Sequence, residues 1–209
     1  MPEIAKLIRN NRAWADAMTA SDPDFFAKRE GDQQPHFLMI GCSDSRVPLE
    51  LMTGALPGEM FVHRNIGNQV HSTDFNVLSV LHIAVELLAV RHIIVCGHSN
   101  CSALRSAEGP RSNGILDHWL SGIRNTIRRN RTELEGCASE HRHRQRLSEL
   151  NVLQQLGTLS RTPTVLDAWS RGKWPSLHGW VYDVGNGHVE RVVDAVDSVE
   201  SATRLLPQG

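Results

Sequence analysis

The 209-residue chain predicts one α/β domain, residues 1–209, with a mainly parallel β-sheet flanked by helices and an antiparallel edge strand. Three observations carry this reading. His36–Ile40 and His92–Gly97 are short apolar runs separated by a long apolar helical stretch, the arrangement of a βαβ unit with strands buried on both faces. Residues 115 to 171 show helical spacing and no strand signal. Finally, 177–184 and 189–193 are strand-like and joined by Gly185-Asn186-Gly187, the pattern of a hairpin at a sheet edge.

The elements follow in order. Ile4, Leu7, Ile8, Trp14 and Met18 recur at near-helical spacing, and Asp22-Pro23 offers an N-cap and a first-turn proline for a second helix, so helices are expected over about 3–31. The first strand ends at Gly41, and Met60–Val62 forms a second after the turn residues Pro57-Gly58. Ser72 or Thr73 would cap a helix running to about Val90. Beyond the buried strand, Leu116, Trp119, Leu120, Ile123 and Ile127, then Leu147, Leu150, Leu153 and Leu156, mark apolar helix faces, and Thr162-Pro163 opens another helix.

Composition narrows the function classes. Lys+Arg 22 against Asp+Glu 23 gives a net charge of −1, so no global field recruits nucleic acid or an anionic membrane. The apolar stretch 77–90 is interrupted by Ser79, His82 and Glu86 and falls short of the ~20 residues a membrane span needs. Charges occupy the N-terminus where a secretory signal would be apolar, so a cytoplasmic location is expected. Four cysteines are too few for a disulfide scaffold at this length, which leaves them metal-binding, catalytic or simply buried.

Cys42 stands just after the first strand, and His98 with Cys101 just after the buried one. Loops leaving the carboxyl ends of parallel strands meet in a crevice, so the three can share one ion. Thiolate and imidazole suit zinc, and three protein ligands leave a tetrahedral position open for water. Asp44 lies close enough to fill that position and make a closed structural site instead. Asp44 and Arg46, two residues apart, can also pair, holding the carboxylate as a hydrogen-bond acceptor beside the metal. A phosphatase-type loop would need its arginine further on, and a thioredoxin-like site needs Cys-x-x-Cys. Cys96 and Cys137 read as buried thiols of no chemical role.

Cys42-Ser43-Asp44-Ser45-Arg46, Phe61-Val62-x-Arg64-Asn65 and Cys96-Gly97-His98-Ser99-x-Cys101, in that order, resemble the β-class carbonic anhydrases, and the likeness runs from Asn10-Asn11 to the 178–182 stretch. The resemblance implies reversible hydration of carbon dioxide to bicarbonate, with Zn2+ on Cys42, His98 and Cys101 and an Asp44–Arg46 catalytic dyad. It implies a substrate cleft lined by Gln33, Phe61 and Ile66 across a dimer interface, N-terminal helices packed on a partner subunit, and a homodimer or dimer of dimers. It also implies that Asp44 can close the metal site at low pH.

Three positions depart from the family pattern: Ser102 for glycine, Ile83 for tyrosine and Gly67 for alanine, all expected near the cleft. A regulatory bicarbonate pocket of one branch uses a tryptophan, an arginine and a tyrosine; here Met39 accompanies Arg64 and Tyr182, and Met39 supplies no indole N–H. His63 and His71 are candidate proton shuttles. Arg124, Arg128, Arg129, Arg131, Arg142, Arg144 and Arg146 form a basic run, which lacks aromatics for base stacking and is diluted by Glu133, Glu135 and Glu140, so a solvated face or subunit contact is expected rather than nucleic acid.

Overall fold

The computed structural model describes residues 2–111 and 114–205. They form two compact units, Met1–Gln34 and Pro35–Gly209.

The first unit contains α1 (Pro2–Ser21) and a single 3-10 turn, Ala27–Arg29. The second helix expected after Asp22-Pro23 does not form. The Asp22 carboxylate accepts from the Asp24 backbone N–H and from Lys28 Nζ at 2.9 Å, which closes a turn instead of capping a helix. Trp14, Phe25 and Phe26 meet edge to face, with ring centroids 5.1 to 6.4 Å apart. None of the residues of α1 is buried.

The second unit is built on a five-stranded sheet of order β2-β1-β3-β4-β5, from β1 (Phe37–Cys42), β2 (Met60–Asn65), β3 (His92–His98), β4 (Ser176–Tyr182) and β5 (Val189–Val196). All pairs are parallel except β4 with β5, as the hairpin signal required. Every residue of β1 after Phe37 and of β3 after His92 is buried, which explains why both read as unbroken apolar runs. β2 runs on through His63-Arg64-Asn65, polar residues that the apolar signal did not include.

The helices are α2 (Leu49–Thr53), α3 (Phe75–His82), α4 (Ser102–Glu108), α5 (Ile115–Trp119), α6 (Ser121–Arg129), α7 (Arg131–Glu135), α8 (Glu140–Leu159), α9 (Pro163–Ser170) and α10 (Val199–Leu205). Asp74, rather than Ser72 or Thr73, caps α3 by accepting from Asn76 N–H. The helix expected to reach Val90 is α-helical only to His82; Ile83–Leu87 then form a π-helical turn. Thr162 caps α9 as expected, with Pro163 in its first turn. Helix α8 packs across β3 and β4. Its approach to β3 is close: a Cβ on Gly97 would lie 2.8 Å from Val152 Cγ2.

Candidate metal centre and active-site cleft

The parallel register aligns the ends of β1, β2 and β3, with Cys42 opposite Asn65 and Gly41 opposite both Arg64 and Cys96. Cys42 therefore emerges beside the loop that follows His98. Asn100 adopts a left-handed backbone (φ 54°), which turns the chain so that Cys101 comes back toward His98. Cys42, His98 and Cys101 are all buried, and their ligand atoms lie within 4.8 Å of one another. The two sulfurs are 3.9 Å apart.

These residues fit a zinc ion. Two thiolates in a tetrahedral zinc shell, with Zn–S near 2.3 Å, stand about 3.8 Å apart. His98 Nδ1 donates to the Ser99 carbonyl at 2.9 Å, fixing the tautomer that leaves Nε2 bare, and that buried Nε2 has no hydrogen-bond partner. A buried nitrogen without a partner, facing two thiols, is costly unless a cation takes its lone pair. Electrostatics agree. The Cys42 thiol is pushed down to about 4, first by the hydrogen bond from Cys101, against the cost of burial and with help from the Gly67 N–H. Cys101 is correspondingly pushed up by its bond to Cys42 and by burial. The pair thus favours one thiolate over two thiols, and a divalent cation would draw the remaining proton.

Asp44 and Arg46 meet as a bidentate pair. Arg46 Nε donates to Oδ1 at 2.9 Å and a terminal guanidinium nitrogen to Oδ2 at 2.8 Å, while the Arg46 backbone N–H adds a third bond at 3.0 Å. These bonds, the Arg46 side chain foremost, hold the Asp44 carboxyl well below the usual carboxylate range. Asp44 Oδ2 lies 3.8 Å from His98 Nε2, so the pair stands at the edge of the ligand shell. Arg46 also donates to the Asn100 carbonyl, tying the two site loops together.

A cleft of about 540 Å³ opens over this cluster, lined by Cys42, Asp44, Arg46, Ile66 and Ser102 among others. Of the residues expected near a cleft, Ile66 and Ser102 border this one. Gly67 supports the centre from beneath: its N–H donates to Cys42 Sγ at 3.4 Å, and its φ of 77° favours glycine over the alanine usual in the family. Ile83 does not border the cleft; it sits in the π-helical turn. Phe61 packs against the core cluster at the far end of β2, opposite Leu38, and does not line this cleft. Gln33 belongs to the first unit and is exposed.

Neither candidate shuttle lines the cleft. His63 is buried in β2, where desolvation lowers its pKa, and His71 rests edge-on against Trp119. Met39 is a fully buried core residue. Cys96 is buried, and burial pushes its thiol up to about 12, the state of an inert side chain.

Sequence reasoning missed the residues that hold the site loops. Arg64 donates to the carbonyls of Cys42, Asp44 and Val47 at 2.8 to 2.9 Å, clamping the loop that carries the dyad. From α8, Ser148 Oγ donates to the His98 carbonyl and Asn151 Nδ2 to the Gly67 carbonyl, each at 3.0 Å. Arg105, Ser106 and Leu116 complete the cleft wall.

A family model described as carbonic anhydrase matches residues 37–189. The fold superposes on a Coccomyxa β-carbonic anhydrase, solved with acetazolamide, at a TM-score of 0.94 and 37% identity over 98% of this chain and 93% of that one. The chain belongs to the β-class carbonic anhydrases. It is therefore a carbonic anhydrase enzyme, and the Cys42–His98–Cys101 cluster is its metal-binding group. A carbonic anhydrase of Emericella nidulans is 41% identical over 87% of this chain and 80% of that protein. Tetrameric β-carbonic anhydrases from Sordaria macrospora align at TM-score 0.88 and 36% identity, covering 94% of this chain and 100% of theirs. Among the described residues, no helix is long and apolar enough to cross a membrane.

Proposed function

We propose that the protein catalyses the reversible hydration of carbon dioxide to bicarbonate and a proton, with Zn2+ held by Cys42, His98 and Cys101. The observation that carries this reading is the bare, buried His98 Nε2 facing two sulfurs beside a carboxylate that a guanidinium has fixed as an acceptor. When bound, zinc supplies Lewis acidity that makes a water acidic enough to serve as nucleophile near neutral pH.

The chain's own residues do the rest. Arg46 keeps Asp44 ionised, so Oδ2 accepts a hydrogen bond from the nucleophile and turns its lone pair toward the substrate carbon. Ile66 provides apolar wall for a substrate without a net dipole. Arg64, Ser148 and Asn151 hold the loops so that acceptor and ligands keep their spacing. Gln33 and Phe61 are assigned to the same cleft of a second subunit, and α1 to a contact with that subunit. The exposed Ile4, Leu7, Ile8 and Trp14 and the tetrameric Sordaria relatives support this assembly as a dimer or dimer of dimers. Four free thiols suit a reducing compartment, the cytoplasm.

A second reading rests on the 3.8 Å between Asp44 Oδ2 and His98 Nε2. Released from Arg46, Asp44 would become a fourth ligand and close the site with little or no turnover. Stopped-flow hydration with metal analysis on the wild type, Cys42→Ser and Asp44→Asn separates the two. The open site predicts one zinc per wild-type chain with turnover, loss of both in Cys42→Ser, and retained zinc with hydration slowed roughly 10- to 100-fold in Asp44→Asn. Zinc-loaded wild type that is inactive across the pH range, with Asp44 on the metal, would establish the closed site.

A further inference from the structure

We propose that the cleft between α4, α6 and α7 is a second ligand site that takes a short dicarboxylate. This cleft, of about 450 Å³, is lined by Arg111, Arg124, Arg128 and Arg131 around an apolar floor of Ala107, Ile127 and Leu134. It shares no residue with the cleft over the metal cluster.

Its charges are unequally committed. Glu108 is held by His143 at 2.5 Å, and Glu135 by Arg131 at 2.6 Å. Arg124 spends its terminal nitrogens on the carbonyls of Ser106, Ala107 and Gly109 and on Asp117. Its Nε remains buried without an acceptor. Arg111 and Arg128 have no acceptor among the described residues, and both are exposed. The cleft's acids are thus already paired, and two of the guanidinium forks that line it are left uncommitted.

A guanidinium fork matches a carboxylate with two parallel hydrogen bonds. Two free forks over apolar floor select an anion with a carboxylate at each end and methylenes between. The cleft has no phenylalanine, tyrosine or tryptophan on which a nucleobase could stack, and its one ring, His143, is held by Glu108. Arg142, Arg144 and Arg146, further along the basic run, are paired with Glu149, Glu140 and Glu133, so the uncommitted charge of that run is limited to the 128–129 end beside this cleft and makes no stripe along a nucleic-acid backbone.

The test is calorimetric titration of the full-length, metal-loaded protein with glutarate, and in parallel with acetate and inorganic phosphate. Wild type should bind one glutarate per chain, saturably, and bind acetate and phosphate more weakly. Arg128→Gln should weaken glutarate binding about tenfold, the worth of one charge-assisted pair, and Arg111→Gln/Arg128→Gln should weaken it further. Both variants should keep wild-type melting temperature and metal content, which separates loss of the site from loss of the fold. Because the readout is binding, it stands whatever becomes of the hydration reading. No saturable glutarate binding by wild type, undiminished binding by the double variant, or phosphate binding as tightly as glutarate would each overturn the proposal.

Discussion

Helices α1 and α8 are each 20 residues long, yet they are stabilised by different means. Helix α8 buries one face against β3 and β4, with Leu147, Leu150, Val152, Leu156 and Leu159 in the core. It also sends Ser148, Asn151 and Gln155, all buried, to backbone groups of the site and its flanks: the His98 carbonyl, the Gly67 carbonyl and the Val70 N–H. Helix α1 buries nothing, and leaves Ile4, Leu7, Ile8 and Trp14 between 44% and 63% exposed. An isolated helix gains little from propensity alone, and an exposed apolar stripe of that kind is the usual mark of an interaction face. One helix is fixed by the chain's own core and fixes the metal loops in turn; the other leaves its apolar stripe exposed, the face that the proposed assembly would cover.

The sharpest break of this comparison is at the core face of α8. Leu156→Ala empties a fully buried position and should cost about 2–5 kcal/mol in denaturant melts. Asn151→Ala should cost about 1–3 kcal/mol, because it strands the Gly67 carbonyl and the Gln155 amide that now bond to it. It should also weaken metal retention against a chelator, since Gly67 supports Cys42. A stability loss with unchanged metal retention would show that α8 does not brace the site.

A smaller effect comes from His143 near the start of α8, whose pKa is raised first by its bond to Glu108 and then by the Leu134 carbonyl. The folded value lies above the unfolded one of about 6.5, so this stabilisation is complete below that pH and disappears as pH rises through the folded value. Melts of wild type and Glu108→Gln should therefore differ most in mildly acid buffer and converge above neutrality. The smallest change within one chain is expected from Ile8→Ser in α1, about 0.5 kcal/mol or less. Sedimentation of the same variant should show weakened association. If it melts much earlier while its assembly is intact, α1 is part of the chain's own core after all.

The sequence made visible what lies on strands or at their ends. β1 and β3 are legible because burial on both faces leaves an unbroken apolar run, Cys42 and His98 because they close those strands, and Cys101 because it follows β3 within three residues. β2 was cut short at Val62 because His63, Arg64 and Asn65 are polar on a strand whose pairing to β1 is made by backbone groups, invisible in residue type. The helix cap was misplaced by one or two residues because Asp74 competes with Ser72 and Thr73 for the same role. The π-helical turn at Ile83–Leu87 keeps an apolar pattern and so left no mark. Arg64 escaped notice as the clamp on the dyad loop because its partners are carbonyl oxygens distant in sequence. Phe61 was expected at a cleft that, within one chain, it does not reach.

X-ray absorption at the zinc edge of the purified protein tests the central claim most directly. Two sulfur scatterers near 2.3 Å and one imidazole nitrogen near 2.0 Å per ion are expected, with one sulfur lost in any metal that Cys42→Ser retains. A wild-type protein without stoichiometric metal, or with a shell of oxygen and nitrogen alone, would contradict the assignment of Cys42, His98 and Cys101 as the metal centre.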